Sequence, residues 1–220
     1  MHHNRSNEIE FFGKITAGIT HELKNVLAVI KETSGLMGDL MDLTDTKSFQ
    51  HKERFQKSLS TIQKQIENGV TLLTHLNKFA HATDKEKAEI DLHETVQEMT
   101  VLCGRYARLK NITLKAHPTD TIMTFPTCQI SLQMILFSCI EYCISGLPQQ
   151  NQIDISILQK DNGDYVIKFD CSDELADSGD ISAEKSSPNI LDKLKKTAAL
   201  VQGEVFNEPS AVSLRLSSYA

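Results

Sequence analysis

The 220-residue sequence lacks any uninterrupted apolar run near the roughly 20 residues that a membrane-spanning helix needs. The residues after Met1 do not form the apolar core of a signal peptide. The five cysteines are odd in number and include no Cys-x-x-Cys pair, which argues against a disulfide framework. From these absences we expect a cytoplasmic protein.

An excess of positive charge is also missing. The chain has 23 basic and 29 acidic side chains, which give a net charge of -6. A general attraction to nucleic-acid phosphates is therefore not expected, and a protein or small-molecule partner is favoured. With 40% hydrophobic and 24% charged residues, the chain has the composition of one or two compact domains.

The N-terminal third of the chain has the apolar periodicity of two long helices. The first is predicted from about Glu8 to Leu43, and its apolar seam consists of Phe12, Ile15, Ile19, Leu23, Val26, Ile30, Met37 and Leu40. The second is predicted from about Ser48 to Ala80. Its apolar positions recur at a spacing near 3.5, which is typical of bundle packing: Phe55, Leu59, Ile62, Ile66, Val70, Leu73 and Phe79.

These two helices are too long to bury both of their apolar stripes in a single hairpin. A helix of more than 30 residues spans on the order of 50 Å at 1.5 Å per residue. A second hairpin from another copy of the chain would close the core as a four-helix bundle. We therefore predict a homodimer.

A polar and charged segment, residues 81–88, predicts a linker between a helical hairpin at 8–82 and a second domain at 88–220. The second domain shows strand and helix patterns in alternation, which predict an α/β sandwich with helices on one face of a mixed sheet. The whole chain is thus α+β. The elements expected there are strands at 89–92, 112–116, 121–125, 153–157, 165–169, 204–206 and 212–216, and helices at 93–109, 127–145 and 189–201.

The candidate reactive group is His21, which Glu22 follows at once and Asn25 follows one helical turn later. The imidazole lies off the apolar seam, so we expect it beside the core rather than inside it. A nucleophile with a neighbouring carboxylate and a carboxamide is suited to phosphoryl transfer through histidine. A solvated surface histidine is the plain alternative. A helical zinc site of the His-Glu-x-x-His type is set aside because residue 25 is asparagine.

The His-Glu-Leu-Lys-Asn string at 21–25 and the order of elements resemble the transmitter region of bacterial sensor histidine kinases over residues 8 to 218. The resemblance implies a dimeric hairpin that carries the phosphoacceptor, followed by an ATP-binding domain of the gyrase and chaperone type. It implies that His21 is the phosphoacceptor, Glu22 the acid/base that holds the other ring N–H, and Asn25 the residue that serves dephosphorylation. Val26 stands where the family usually has proline, so the helix kink there is expected to be weaker.

The nucleotide motifs of that family are eroded in this chain. The stretch 137–142 lacks both asparagines of the first motif, although Glu141 is a conceivable magnesium ligand. Asp170 matches the adenine-reading aspartate, but no glycine follows it. Residues 186–191 replace the glycine-rich phosphate loop, and Pro188 removes an amide donor. We therefore interpret Glu141 and Asp170 as polar residues of a vestigial site and expect no use of ATP.

These features together resemble the degenerate, kinase-derived phosphotransfer proteins of bacterial phosphorelays. We expect His21 to pass a phosphoryl group between response-regulator receiver domains, with magnesium supplied by the receiver and no cofactor or metal of the chain's own. Exposed residues around it, Thr20, Lys24 and Ala28, would dock the receiver, with helix-two neighbours near 62–70.

Two alternatives remain. One is a sensor kinase with a divergent ATP site, or a phosphatase that acts through Asn25. The other is a non-catalytic dimeric signalling module.

Overall fold

The computed structural model describes residues 2–42, 52–83, 87–119, 121–149, 151–173 and 189–217. Two long helices open the chain, α1 at His2–Asp42 and α2 at Lys52–Ala80. Both predicted helices are therefore confirmed. The predicted ends at Leu43 and Ser48 lie outside the described residues. The first helix begins six residues earlier than predicted because polar residues without apolar periodicity still extend a helix that is already nucleated.

The two helices run antiparallel and pack along the predicted seam. The start of α1 meets the end of α2, where the rings of Phe11 and Phe12 lie 5.4 and 4.8 Å from that of Phe79. Midway along the hairpin, Val26 packs against Gly69. A Cβ added to this glycine would lie 3.3 Å from the valine side chain. This contact sets the close approach of the helices.

One part of the helix-two pattern is not covered by α1. Phe55 and Phe79 are buried, but four of the predicted apolar positions are more than half exposed in the single chain: Leu59, Ile66, Val70 and Leu73. Their spacing places them on a second face of α2, which the hairpin leaves open to solvent. We call this set the outer stripe.

The rest of the chain forms an α+β unit whose elements agree with the predicted ones to within a few residues. In chain order they are β1 at Ala88–Asp91, α3 at Leu92–Arg108, β2 at Thr113–Ala116, β3 at Thr124–Thr127, α4 at Gln129–Gly146, β4 at Gln152–Gln159, β5 at Tyr165–Cys171, α5 at Asn189–Ala199, β6 at Gly203–Glu208 and β7 at Ala211–Leu216. A 3-10 turn, His81–Thr83, follows α2. The boundary predicted between residues 82 and 88 falls partly outside the described residues and stays a prediction.

Five strands form one mixed sheet in the order β2-β4-β5-β7-β6. The β2–β4 pair is parallel and the other pairs are antiparallel, as the predicted mixed sheet requires. Alternate residues such as Ile167 and Phe169 are fully buried under the helices, while Lys168 and Asp170, which alternate with them, are partly exposed on the other face. Gly163 has a φ of 87° in the turn between β4 and β5, which confirms the predicted Asn162-Gly163 turn.

The extended segment expected at 121–125 lies two or three residues later, as β3. Among the described residues this strand pairs with β1 alone, in a separate two-stranded sheet. A strand with one neighbour tolerates Pro126, whose missing N–H would break a central ladder. The shift of β3 also moves the start of α4 from the predicted residue 127 to Gln129.

The hairpin and the α+β unit share one hydrophobic core. Phe11 of α1 packs on Phe137 of α4, with 5.3 Å between the ring centroids. The Tyr106 hydroxyl of α3 donates a hydrogen bond of 2.5 Å to the carbonyl of Lys14. These contacts lay α1 across α3 and α4, and they bring the last turn of α3 opposite the middle of α1.

Candidate functional site

His21 is exposed on α1, one turn after a buried part of that helix. Ile15 and Ile19 are 0% and 1% exposed, so they fix this section of α1 against the core. The imidazole stands on the adjacent surface, as its position off the apolar seam predicted. A rigid turn with an exposed ring presents the imidazole to a second molecule without local unfolding.

Asn25 lies on the same surface as His21. Its amide nitrogen Nδ2 is 3.3 Å from Nδ1 of the ring, the geometry of an i, i+4 pair on a helix. The amide can donate to an unprotonated Nδ1. The structure thus brings together these two of the predicted site residues.

An arginine from the second unit joins them, and the sequence analysis missed it. Arg105, in the last turn of α3, places Nη1 2.5 Å from Nδ1 of His21. A guanidinium has only donors, so Nδ1 must be the acceptor and the neutral ring carries its proton on Nε2. The only sequence signal was the pair of arginines in the last helical turn, which the helix dipole explains equally well.

Glu22 points away from the histidine and pairs with Arg108 of the same α3 turn. Consecutive helical residues are separated by about 100° around the axis, so Glu22 meets α3 at Arg108 while His21, on the adjacent exposed side of α1, meets it at Arg105. In this conformation Glu22 therefore does not hold the ring N–H, contrary to the expected hydrogen bond. Its acid/base role stays a prediction.

A cleft of about 520 Å³ opens beside this contact between the hairpin and α3. Its polar walls come from Glu22 and Asn25 on α1, Gln65 and Asn68 on α2, and Arg108 on α3. The two residues from α2 fall within the range 62–70 that was predicted to neighbour the histidine. The cleft places amide and charged side chains next to the phosphoacceptor candidate.

The predicted docking residues Thr20, Lys24 and Ala28 are all exposed on α1. The Thr20 hydroxyl donates a hydrogen bond of 2.7 Å to the carbonyl of Thr16, so its proton is used within its own helix. Lys24 and Ala28 follow along the same side of α1. Their exposure is compatible with docking, which stays a prediction.

The vestigial nucleotide residues Glu141 and Asp170 each form an ion pair within the chain. Glu141 of α4 accepts a hydrogen bond of 2.6 Å from Nζ of Lys14. Partial burial would lower the pKa of Lys14, but the hydrogen bonds and charges of Glu141 and Glu10 raise it above its ordinary value. Asp170 forms a 2.6 Å ion pair with Lys168 of its own strand. Glu141 thus ties α4 to α1 in this structure.

The residues of the last nucleotide motif, at 186–188, lie outside the described residues. Across the parts of the chain that the structure describes, no three His, Cys, Asp or Glu residues are grouped to hold a metal ion. Within the same parts, no helix is long and apolar enough to cross a membrane.

Solved structures to which this chain is similar include histidine kinase domains and a phosphotransferase. The histidine kinase AdeS of Acinetobacter baumannii is 12% identical over 91% of this chain and 98% of that chain, with a TM-score of 0.47. The histidine kinase ThkA, in complex with the response regulator protein TrrA, is 15% identical over 98% of this chain and 64% of that chain, with a TM-score of 0.46. A bacterial phosphotransferase is 8% identical over 94% of this chain and 95% of that chain, with a TM-score of 0.45.

No protein-family profile and no curated protein matches the sequence. The structural similarities concern the arrangement of helices and strands, and they assign no activity to this chain.

Proposed function

We propose that the chain is a histidine phosphotransfer protein of a two-component phosphorelay, which carries a phosphoryl group on His21. The observation that carries this proposal is the exposed imidazole beside Asn25, on a helix that Ile15 and Ile19 anchor in the core. An exposed imidazole on a rigid surface can meet a phosphoryl donor that belongs to another protein. The His-Glu-Leu-Lys-Asn string, which resembles a phosphoacceptor motif, supports the same role.

The chemistry proposed for His21 is an in-line displacement. A ring nitrogen attacks the phosphorus of an aspartyl phosphate on one receiver domain, so that an N–P bond forms while the P–O bond breaks and the aspartate carboxylate leaves. The aspartate of a second receiver then attacks the phosphohistidine, and the imidazole leaves with its electron pair. The receivers supply the magnesium for both steps. Glu22 would accept and return the ring proton once Arg108 releases it.

We also propose that the chain does not use ATP. Support comes from the polar residues of the vestigial nucleotide site, each of which makes an ion pair or hydrogen bond within the chain. Glu141 forms an ion pair with Lys14, and Asp170 forms one with Lys168. The Ser138 hydroxyl donates a hydrogen bond of 2.8 Å to the carbonyl of Met134. A nucleotide phosphate or its magnesium ion would have to compete with the Glu141 ion pair, which also joins α4 to α1.

The proposed active form is a homodimer, in a cytoplasmic setting. The outer stripe of α2 supports the dimer because four large apolar side chains in line are costly to leave in water. We expect Ile66→Glu to shift the protein from dimer to monomer in sedimentation velocity. The matched control is Ile122→Glu, since Ile122 is 82% exposed outside the hairpin. A monomeric wild-type protein would contradict the dimer.

Two other functions are weighed against transfer. A phosphatase acting on a receiver is favoured by one observation, the Asn25 amide at 3.3 Å from the ring, because an amide there can orient a water molecule. A sensor kinase with a divergent ATP site would need Glu141 to leave Lys14. A non-catalytic module would bind its partner equally well without the His21 imidazole.

The test is radiolabelling of the full chain with two donors, ATP with magnesium and the small phosphodonor phosphoramidate. We expect label from phosphoramidate on His21, none from ATP, and none in His21→Ala. The control His117→Ala removes another exposed histidine and should label like wild type. Label from ATP would establish a kinase, and equal phosphoramidate labelling of His21→Ala would contradict the proposed function.

A further inference from the structure

The contact between Arg105 and His21 sets the state of the proposed phosphoacceptor. Nη1 of Arg105 and Nδ2 of Asn25 both approach Nδ1, at 2.5 and 3.3 Å. A neutral imidazole has a single in-plane lone pair, and here it lies on Nδ1, where two donors occupy it. The other nitrogen, Nε2, carries the proton. Neither ring nitrogen is therefore free to attack phosphorus in this arrangement.

We propose that Arg105 is a latch on His21, so that phosphoryl transfer requires the last turn of α3 to move away from α1. This inference rests on the proposed function of His21 as a phosphoacceptor. Arg105 is a positioning residue in this scheme, because it fixes the tautomer and covers the lone pair rather than taking part in bond formation. The latch thereby links the reactivity of the hairpin to the position of the second unit.

The contacts around the latch are suited to reversible opening. Tyr106, next to Arg105, donates to the carbonyl of Lys14, and partial burial raises the pKa of its hydroxyl so that it remains a donor. Arg108 pairs with Glu22, the residue after the histidine. The Arg108–Glu22 pair is polar and the Arg108 side chain is exposed, so water can replace this partner as the helices separate.

The latch also explains why Glu22 does not contact the imidazole. The two arginines of one α3 turn engage two consecutive residues of α1, Arg105 the histidine and Arg108 the carboxylate. Movement of that single turn would release both groups at once. Glu22 would then be free to act on the ring proton at the moment when the lone pair becomes available.

A larger side chain at a neighbouring position can open the latch while Arg105 and His21 themselves are kept unchanged. Gly18 lies on α1 directly under α3, where an added Cβ would lie 3.4 Å from Cε2 of Tyr106 and 3.8 Å from Cδ of Arg105. A larger side chain there must push the α3 turn outward. Leucine is also a better helix former than glycine, so Gly18→Leu should not weaken α1 itself.

The experiment compares Arg105→Ala and Gly18→Leu with wild type in the full chain at about pH 8, where free imidazoles are neutral. The first readout is the tautomer of His21 from its ring ¹⁵N chemical shifts. The second is the rate at which diethylpyrocarbonate, which attacks a free imidazole lone pair, modifies the His21 peptide. The third is phosphoramidate labelling of His21. Lys115→Ala, which removes an exposed positive charge elsewhere, is the matched control.

We expect wild type to hold the Nε2–H tautomer and both variants to lose this bias. Modification of His21 should accelerate roughly tenfold in Arg105→Ala, the order expected for loss of one hydrogen bond to a charged group. Gly18→Leu should also accelerate modification of His21, although Arg105 is retained. With two different variants, the latch can still be tested if one of them misfolds. Lys115→Ala should match wild type.

An unchanged tautomer and unchanged rates in both variants would overturn the latch. Slower phosphoramidate labelling in Arg105→Ala would overturn it as well, because the arginine would then assist transfer instead of blocking it. Failure of the proposed function gives a different pattern: the tautomer and diethylpyrocarbonate rates would change while no variant accepted a phosphoryl group.

Discussion

Glu98 provides the sharpest test of the packing between the hairpin and the second unit. This carboxyl group on α3 is 2% exposed, and its Oε1 has no hydrogen-bond partner among the described residues. Burial raises the pKa of Glu98 to about 7, although the Gln133 amide and the Lys78 ammonium favour its charged form. Glu94, on the same helix, adds to the effect of burial through its negative charge.

The sign of the pH dependence follows from the raised pKa. The ordinary value is 4.5, so between about pH 4.5 and 7 the folded state keeps a proton on Glu98 that the unfolded state has lost. The folded state binds more protons in that window, and stability therefore falls as pH rises through it. Over about 2.5 pH units, at about 1.4 kcal/mol each, the loss is at most about 3 to 4 kcal/mol.

The perturbation is Glu98→Gln, which mimics the protonated carboxyl group and removes its titration. We expect the variant to match wild type near pH 4 and to be more stable near pH 8, by up to about 3 to 4 kcal/mol. Urea unfolding at several pH values measures this difference, and subtraction removes the common titration of groups such as His75, whose pKa burial lowers. Glu89→Gln, at an exposed position of β1, is the matched control. A stability difference that does not vary with pH would refute the reasoning.

Three further predictions concern the second unit. Gly203→Ala should destabilise the protein by about 1–3 kcal/mol, because a Cβ there would lie 3.0 Å from Leu214 and 3.1 Å from a backbone oxygen; thermal unfolding measures this. Leu132→Ala should cost about 2–5 kcal/mol in urea unfolding, because Leu132 is 0% exposed and its truncation leaves a cavity. Iodoacetamide should alkylate Cys128 long before Cys103 in the native protein, as followed by peptide mass spectrometry, because burial raises the pKa of the Cys103 thiol.

Each of these predictions has an outcome that contradicts it. For the core truncation the control is Ile122→Ala, at 82% exposure, and an equal cost at both sites would mean that Leu132 is not buried in solution. A Gly203→Ala protein as stable as wild type would mean that β6 and β7 can separate slightly at no cost. Equal alkylation of both thiols would show that α3 opens readily.

Features that repeat locally along the chain could be predicted from the sequence. The 3.6-residue periodicity located α1 and α2, and alternation with a turn at Asn162-Gly163 located the β4–β5 hairpin. The four-residue spacing of His21 and Asn25 predicted one shared surface of α1, and both side chains lie there. The errors were small shifts at element ends, such as β3, where Pro126 and the pairing with β1 decided the register.

The sequence by itself thus determined which residues are helical, which are extended, and which groups share one side of α1. Only the tertiary structure decided that Arg105 covers His21, that Arg108 takes Glu22, and that Glu141 holds Lys14. The physical reason is that local periodicity constrains neighbours a few residues apart, whereas the Arg105–His21 contact joins positions 84 residues apart. Such a contact depends on how α1 lies across α3 and α4, and that packing is set by the shared core rather than by any local pattern of charge.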